Sequence, residues 1–190
     1  MKIGLFFGSF NPVHIGHLII ANFMATHTDL KEVWMIVSPQ NPLKQKDSLA
    51  PERERLHMLR LSIDDNPKLR ASDIEFNLPK PSFTVDTLTY LKEKYPKKEF
   101  ALIMGSDNLV TLHKWKNYEV LLKNYPIYIY SRPGYAENPF PDNPNLFFFD
   151  APQMLISASM IRNYISQKKS VQYMVPEEVF EYLKGSNLYI

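Results

Sequence analysis

Short apolar runs that alternate with helix-forming segments constrain the fold of this chain more than any other feature. A run of four or five residues without polar alternation is typical of a strand buried on both faces of a sheet. We predict strands at residues 3–7, 33–37, 69–72, 100–104, 127–130 and 146–149. The predicted helices are 14–27, a segment that begins at 51, 85–95, 118–123, 159–166 and 176–183. Strands that alternate with helices in this way indicate an α/β, doubly wound fold with a mostly parallel sheet.

The composition fits a single domain over residues 1–190 and excludes several classes of protein. The chain has no cysteine, which excludes disulfide scaffolds, cysteine-ligated zinc and thiol nucleophiles. Its net charge of only +2 gives no indication of nucleic-acid binding, and no apolar run approaches the length of a membrane span. We therefore expect a soluble cytoplasmic protein without nucleic-acid or membrane partners. The sequence does not indicate its oligomeric state.

Ligands of doubly wound proteins bind at the carboxyl ends of the strands, so the loop after the first strand is the first place to look for chemistry. That loop begins at Gly8, and His14 and His17 stand at the start of the following helix. Glycine lets the backbone approach a ligand, the free N–H groups of a helix start attract phosphate, and histidines three residues apart share one face. This pattern indicates a polyphosphate site. The alternatives are that each histidine merely caps or packs, or that the pair binds zinc, for which no third ligand is signalled nearby.

Two segments resemble the signatures of the nucleotidyltransferase superfamily. Residues 8–17 are similar to GxFxPxHxGH, and residues 156–162 are similar to ISSTxIR, with Ala158 in place of the usual hydroxyl residue. The resemblance implies a Rossmann-like nucleotidyltransferase fold whose C-terminal helices, from about residue 157, carry the second phosphate motif. The ATP-binding residues that it implies in these two motifs are Gly8, Ser9, Phe10, Gly16, Ser157 and Ser159, together with Arg162 for the β- and γ-phosphates.

The middle of the chain resembles bacterial nicotinate-nucleotide adenylyltransferases at residues 80–88, 105–107 and 113–115, and the resemblance extends to residues 131–134. The resemblance implies that Phe83, Thr84 and Trp115 bind the mononucleotide, and Phe83 stands where the family often has tyrosine. Trp115 offers a flat face for a pyridine ring, and the helix start at Thr84 offers N–H groups for a carboxylate.

Three further residues are assigned to ATP and its metal. Gly105 and Asp107 follow a predicted strand, where the carboxylate would accept hydrogen bonds from ribose hydroxyls or help to place Mg²⁺ through water. In the second loop Leu43 stands where relatives often have histidine, whereas the following lysine is kept as Lys44 and can reach a phosphate.

The reaction implied by the resemblance transfers the adenylyl group of ATP to nicotinate mononucleotide, giving deamido-NAD and pyrophosphate in NAD biosynthesis. The expected cofactor is Mg²⁺, bound with ATP through phosphates and water, and no metal site built from protein ligands is expected. The attacking phosphate has a second pKa of about 6, so it is largely ionised at neutral pH and needs no general base. The implied catalytic residues, His14, His17, Lys44 and Arg162, would therefore stabilise charge.

Two other functions remain open at this stage. Phosphopantetheine adenylyltransferase shares both phosphate motifs but has no need of the group formed by Phe83, Thr84 and Trp115. A non-catalytic nucleotide sensor would have the same fold and would bind the nucleotide without catalysing a reaction. An aminoacyl-tRNA synthetase is disfavoured, because a chain of 190 residues leaves no room for a tRNA-binding domain.

Several polar residues are interpreted as structural. His27, His57 and His113 are expected to be structural or surface residues, and the charged stretch at 52–55 is expected to form a solvated helix face.

Overall fold

A computed structural model describes residues 1–39 and 49–190 of the chain. Its strands are β1 (Lys2–Gly8), β2 (Glu32–Val37), β3 (Leu69–Ser72), β4 (Glu99–Gly105), β5 (Ile127–Tyr130) and β6 (Leu146–Phe149). Its α-helices are α1 (Ile15–His27), α2 (Glu52–Leu61), α3 (Thr84–Lys94), α4 (Ser106–Thr111), α5 (Tyr118–Asn124), α6 (Ala158–Ser166) and α7 (Glu177–Lys184). Two short 3₁₀ helices span Ile74–Asn77 and Leu112–Lys114.

The six strands form one sheet in the order β3-β2-β1-β4-β5-β6, and each neighbouring pair is parallel. From β1 the chain adds β2 and then β3 on one side of the sheet. It then returns to the centre and adds β4, β5 and β6 on the other side. The reversal leaves a crevice at the carboxyl ends of β1 and β4, where the loops diverge. The predicted α/β, doubly wound fold is confirmed, and the sheet is wholly parallel rather than mostly so.

Helices cover both faces of the sheet, and each face has its own apolar core. In β1, Ile3 and Leu5 are buried against one core, whereas Phe6 is buried in the other. The first core includes Leu88 and Leu91 of α3, and the second includes residues of α1, α2, α6 and α7. This two-sided burial explains why the strands read as continuous apolar runs.

Gly4 shows how closely the layers approach at the centre of the sheet. A Cβ atom at this position would lie 2.6 Å from Cδ1 of Ile103 and 2.7 Å from Cδ1 of Leu30. Because these distances are too short for real carbon contacts, a larger residue at Gly4 would displace the ends of the Ile103 and Leu30 side chains.

The differences from the predicted elements are local. Most predicted bounds agree with the structure to within a residue, but α4 and the two 3₁₀ helices were not predicted. Each of these three elements has six residues or fewer, which is too short to display the apolar periodicity on which helix prediction depends.

Candidate active site

A cleft of about 750 Å³ opens at the carboxyl ends of the central strands. The predicted site residues that line it are Gly8, Ser9, Phe10, His14, Gly16, His17, Phe83, Thr84, Asp107, Trp115, Ser157, Ser159 and Arg162. Gly105, the last residue of β4, is not among the described residues that line the cleft. Lys44 lies outside the described residues, as does Leu43. The cleft therefore brings together residues that are up to about 150 positions apart in the chain.

The two histidines cap each other at the start of α1. Nδ1 of His14 accepts a hydrogen bond from the main-chain N–H of His17 at 3.4 Å, and Nδ1 of His17 accepts one from the N–H of His14 at 3.3 Å. The rings are stacked, with centroids 3.6 Å apart. A nitrogen that accepts a hydrogen bond carries no proton, so each neutral ring keeps its proton on Nε2. Capping and phosphate binding are therefore compatible, because capping leaves Nε2–H as a donor.

His14 is held in its neutral form by its surroundings. The residue is only 6% exposed, and this burial, helped by the nearby positive charge of Arg132, lowers its pKa from 6.5 to about 4. At neutral pH the ring is a hydrogen-bond donor without a charge of its own.

The loop after β1 packs on the buried side chain of Phe10. Its ring is 2% exposed, and the ring edge lies against His17 with the centroids 5.0 Å apart. Phe10 has φ of 44°, in the left-handed region, which places its ring directly beneath Gly8. A Cβ atom at Gly8 would lie 2.8 Å from Cζ of Phe10, so glycine is the residue that this close approach requires. Phe10 thus lines the cleft mainly as a buried side chain that packs against Gly8 and His17.

Arg55 corrects the expectation that residues 52–55 form a solvated face. Its side chain is 1% exposed and donates to four main-chain carbonyl oxygens. Nη1 donates to Ser9 at 2.5 Å and Ser38 at 2.8 Å, Nη2 donates to Pro39 at 3.1 Å, and Nε donates to Ala50 at 2.9 Å. Burial lowers the pKa of Arg55, and carbonyl dipoles compensate for its lost hydration. The arginine ties the loop after β1 to the loop after β2.

The second phosphate motif is bonded directly to the first. Nη1 of Arg162 donates to the main-chain oxygen of Asn11 at 2.8 Å, and Nη2 donates to Oγ of Ser159 at 3.2 Å. Ser157 caps α6, its Oγ accepting from the N–H of Met160 at 3.2 Å. The cation of α6 and the histidines of α1 therefore line one cleft, although the two motifs are far apart in sequence.

On another side of the cleft, Phe83 and Thr84 lie at the start of α3. The buried carboxylate of Glu75 supports this segment, accepting from Oγ of Ser82 and Oγ1 of Thr87, each at 2.8 Å. Burial raises the pKa of Glu75, while the hydrogen bonds from Thr87 and Ser82 act in the opposite direction. Glu75 itself lines the cleft.

Two polar atoms in the cleft are buried without a hydrogen-bond partner in the part of the chain that is described. They are Nε1 of Trp115 and Oδ1 of Asp107. Nε of Arg132 lies 3.5 Å from the Asp107 oxygen, which is an ion-pair distance without hydrogen-bond geometry. Unsatisfied buried polar atoms are costly, so both atoms suit contact with a ligand or water.

Sequence reasoning did not single out several residues that line or support the cleft, among them Asn11, Arg55, Glu75 and Arg132. Asn11 and Arg132 lie inside segments that carried the resemblance, so their position along the chain was a usable signal. Arg55 and Glu75 had no such signal. The carbonyls that bind Arg55 lie up to 46 residues away, and Glu75 is bonded to Ser82 and Thr87 by side-chain contacts that no sequence pattern indicates. Across residues 1–39 and 49–190 no group of three or more acidic, histidine or cysteine side chains is arranged to hold a metal ion. In the same residues no helix has both the length and the apolar character needed to cross a membrane.

Comparison with known proteins places this geometry in a family. The profile of the family described as cytidylyltransferase-like matches residues 5–164. A probable nicotinate-nucleotide adenylyltransferase of Flavobacterium psychrophilum is 52% identical over 191 residues, which span 100% of this chain and 99% of that protein. One of the same description from Cytophaga hutchinsonii is 53% identical over 189 residues, 100% and 98% of the two chains. The structure of Plasmodium falciparum nicotinic acid mononucleotide adenylyltransferase complexed with NaAD is 20% identical and superposes with a TM-score of 0.85, covering 99% of this chain and 97% of that one.

Proposed function

This chain belongs to the cytidylyltransferase-like family, and we propose that its cleft transfers the adenylyl group of ATP to nicotinate mononucleotide. The products are deamido-NAD and pyrophosphate. Curated relatives that are about half identical over the whole chain carry the name of this activity, and a solved structure with the same fold is described as a complex with NaAD.

One juxtaposition carries the proposal. The guanidinium of Arg162 is 2.8 Å from the carbonyl oxygen of Asn11, in the loop that leads into the paired histidines. Two Nε2–H donors, the start of α1 and a cation thus line the same cleft. Donors of this kind are what a triphosphate requires, because its charge is spread over several oxygens.

The proposed chemistry is a direct in-line displacement. A phosphate oxygen of the mononucleotide bonds to the α-phosphorus of ATP, and the bond from that phosphorus to the bridging oxygen breaks. Pyrophosphate leaves with the electron pair, and the attacking phosphate is already largely ionised at neutral pH, so no side chain has to remove a proton. The task left to the protein is to position the reactants and stabilise charge.

The histidines and Arg162 divide this task. His14 and His17 donate Nε2–H to phosphate oxygens. Because the pKa of His14 is lowered to about 4, its ring is neutral at pH 7 and donates this hydrogen bond without carrying a charge. Arg162 stabilises the negative charge that develops on the leaving pyrophosphate. We propose that the positive charge of Lys44 also stabilises the leaving pyrophosphate.

Mg²⁺ fits the donors of this cleft. The ion is usually held by one or two carboxylates together with substrate phosphates and water. Oδ1 of Asp107 is buried in the cleft without a hydrogen-bond donor in the described part of the chain, whereas the oxygens of Glu75 already accept from Ser82 and Thr87. Asp107 would hold the ion through water, and the ion would supply neutralising charge to the triphosphate.

The part of the cleft that Trp115 and Thr84 line suits a pyridine carboxylate. Trp115 presents an aromatic surface and an unsatisfied Nε1–H, and Thr84 begins α3, whose first N–H groups attract anions. We propose that the ring stacks on Trp115 and that the carboxylate is bound at Thr84. A cytoplasmic location is proposed as well, because the reaction consumes ATP and the chain has no cysteine.

The experiment is a comparison of acceptors. Pyrophosphate release with ATP and Mg²⁺ is measured for nicotinate mononucleotide, nicotinamide mononucleotide and phosphopantetheine. We expect the highest kcat/KM with nicotinate mononucleotide. A preference for phosphopantetheine would overturn the proposed acceptor, and ATP binding without turnover on any of the three would identify a nucleotide sensor.

A further inference from the structure

A tyrosine close to the C-terminus is bonded to the loop after β1. The hydroxyl of Tyr189 donates to Oδ1 of Asn11 at 2.7 Å, across 178 residues of sequence. Tyr189 has φ of 66°, a left-handed conformation that a non-glycine residue adopts only when its surroundings hold it there. The tail is therefore fastened to this loop rather than lying loosely upon it.

Asn11 is the point at which several elements meet. Its side chain Oδ1 also accepts from the main-chain N–H of Ala50 at 3.0 Å, and its main-chain oxygen accepts from Nη1 of Arg162 at 2.8 Å. The residue is 4% exposed. A carbonyl oxygen has two lone pairs, so the bonds from Ala50 and Tyr189 together fix the orientation of the amide.

The phenol is suited to act as a permanent donor. Burial raises the pKa of Tyr189, and this effect outweighs the opposite influence of the positive charges of Arg162 and Arg55. The hydroxyl therefore keeps its proton at neutral pH and remains a donor to Asn11.

We propose that Tyr189 is a positioning residue for the triphosphate: its hydroxyl fixes Asn11, and the carbonyl of Asn11 holds Arg162 against the histidine loop. Tyr189 does not line the cleft itself, so it acts on the substrate only through Asn11 and Arg162. The inference rests on the proposed adenylyl transfer, and it predicts an effect on ATP that does not extend to the mononucleotide, which we place at Thr84 and Trp115.

The test replaces Tyr189 with phenylalanine, which removes one oxygen and keeps the ring. Tyr128→Phe is the matched control, because its hydroxyl also joins distant elements, donating to Asp29 rather than to a residue of the cleft. For the unmodified protein and both variants, kcat and KM are measured with each substrate varied in turn. The melting temperature and the Kd for ATP alone are measured in parallel.

Loss of one neutral hydrogen bond corresponds to a change of about 3- to 10-fold. We expect Tyr189→Phe to lower kcat/KM for ATP by that factor and to weaken ATP binding, with KM for nicotinate mononucleotide unchanged. Tyr128→Phe should lower the melting temperature at least as much and leave the kinetics as they were.

Two results would overturn the inference. One is that Tyr189→Phe matches Tyr128→Phe in its kinetics. The other is that it impairs both substrates equally, which is what a general loosening of the fold would do. If the unmodified protein releases no pyrophosphate, the proposed function fails by itself, and the ATP affinities of the two variants then decide whether Tyr189 positions the phosphate site.

Discussion

Replacing His14 with asparagine should make the free energy of unfolding fall by about 2.5 kcal/mol less between neutral pH and pH 4.5. In the folded state burial lowers the pKa of His14 to about 4, whereas the unfolded chain restores the ordinary value of 6.5. Between these pH values the unfolded state binds a proton that the folded state does not. The free energy of unfolding therefore falls as the pH falls, and the loss is complete only below the pKa of the folded state.

The magnitude follows from the two pKa values. The full gap between 6.5 and about 4 corresponds to about 3 kcal/mol, and about 2.5 kcal/mol of this is lost by pH 4.5. The residue is 6% exposed, so solvent screening reduces this figure little. Asparagine is a suitable replacement because it caps helices well and does not titrate.

The assay is urea unfolding at several pH values between 7.5 and 4.5, for the unmodified protein and for His14→Asn. Other groups whose protonation changes in this range contribute equally to both proteins. The difference between the two curves therefore isolates His14. Parallel curves would refute the reasoning, because they would mean that His14 takes up its proton equally well in the folded and unfolded states.

Three further predictions concern the residues around the cleft. Arg55→Lys should lower the free energy of unfolding by about 3 kcal/mol, since lysine keeps a buried charge but cannot bond all four carbonyls. Urea unfolding measures this, and a loss below about 1 kcal/mol would show that the four bonds contribute little. Glu75→Gln should raise KM for nicotinate mononucleotide about fivefold and leave KM for ATP unchanged, because the carboxylate supports the segment that holds Phe83. Steady-state kinetics test this, and equal changes in both KM values would contradict it. His17→Ala should lower kcat at saturating substrates by about 10²-fold, and an unchanged kcat would remove His17 from the proposed mechanism.

The fold was predictable because its information is local. A buried parallel strand needs only a short apolar run, and β3, β5 and β6 have the predicted bounds. The helix α4 was missed because six residues carry no periodic pattern. Its start at Ser106 depends instead on where β4 ends in the sheet.

The site was predictable only where its residues lie within one short segment. The spacing of His14 and His17 is visible in the sequence because both belong to one helix turn. Arg55 was misjudged because its position among charged neighbours resembles a solvated face, and the carbonyls that bury it lie up to 46 residues away. The bond from Tyr189 to Asn11 spans 178 residues and has no signature in either segment. Such partners are fixed by the sheet order and the helix packing, which no local pattern encodes.

The fate of the α-phosphate tests the central claim most directly. ATP labelled at that phosphate is incubated with the protein, Mg²⁺ and nicotinate mononucleotide, and the products are separated. The account predicts that the label passes into deamido-NAD with one pyrophosphate released per dinucleotide, and that none becomes attached to the protein. Label retained in ATP, or bound covalently to the chain, would contradict it.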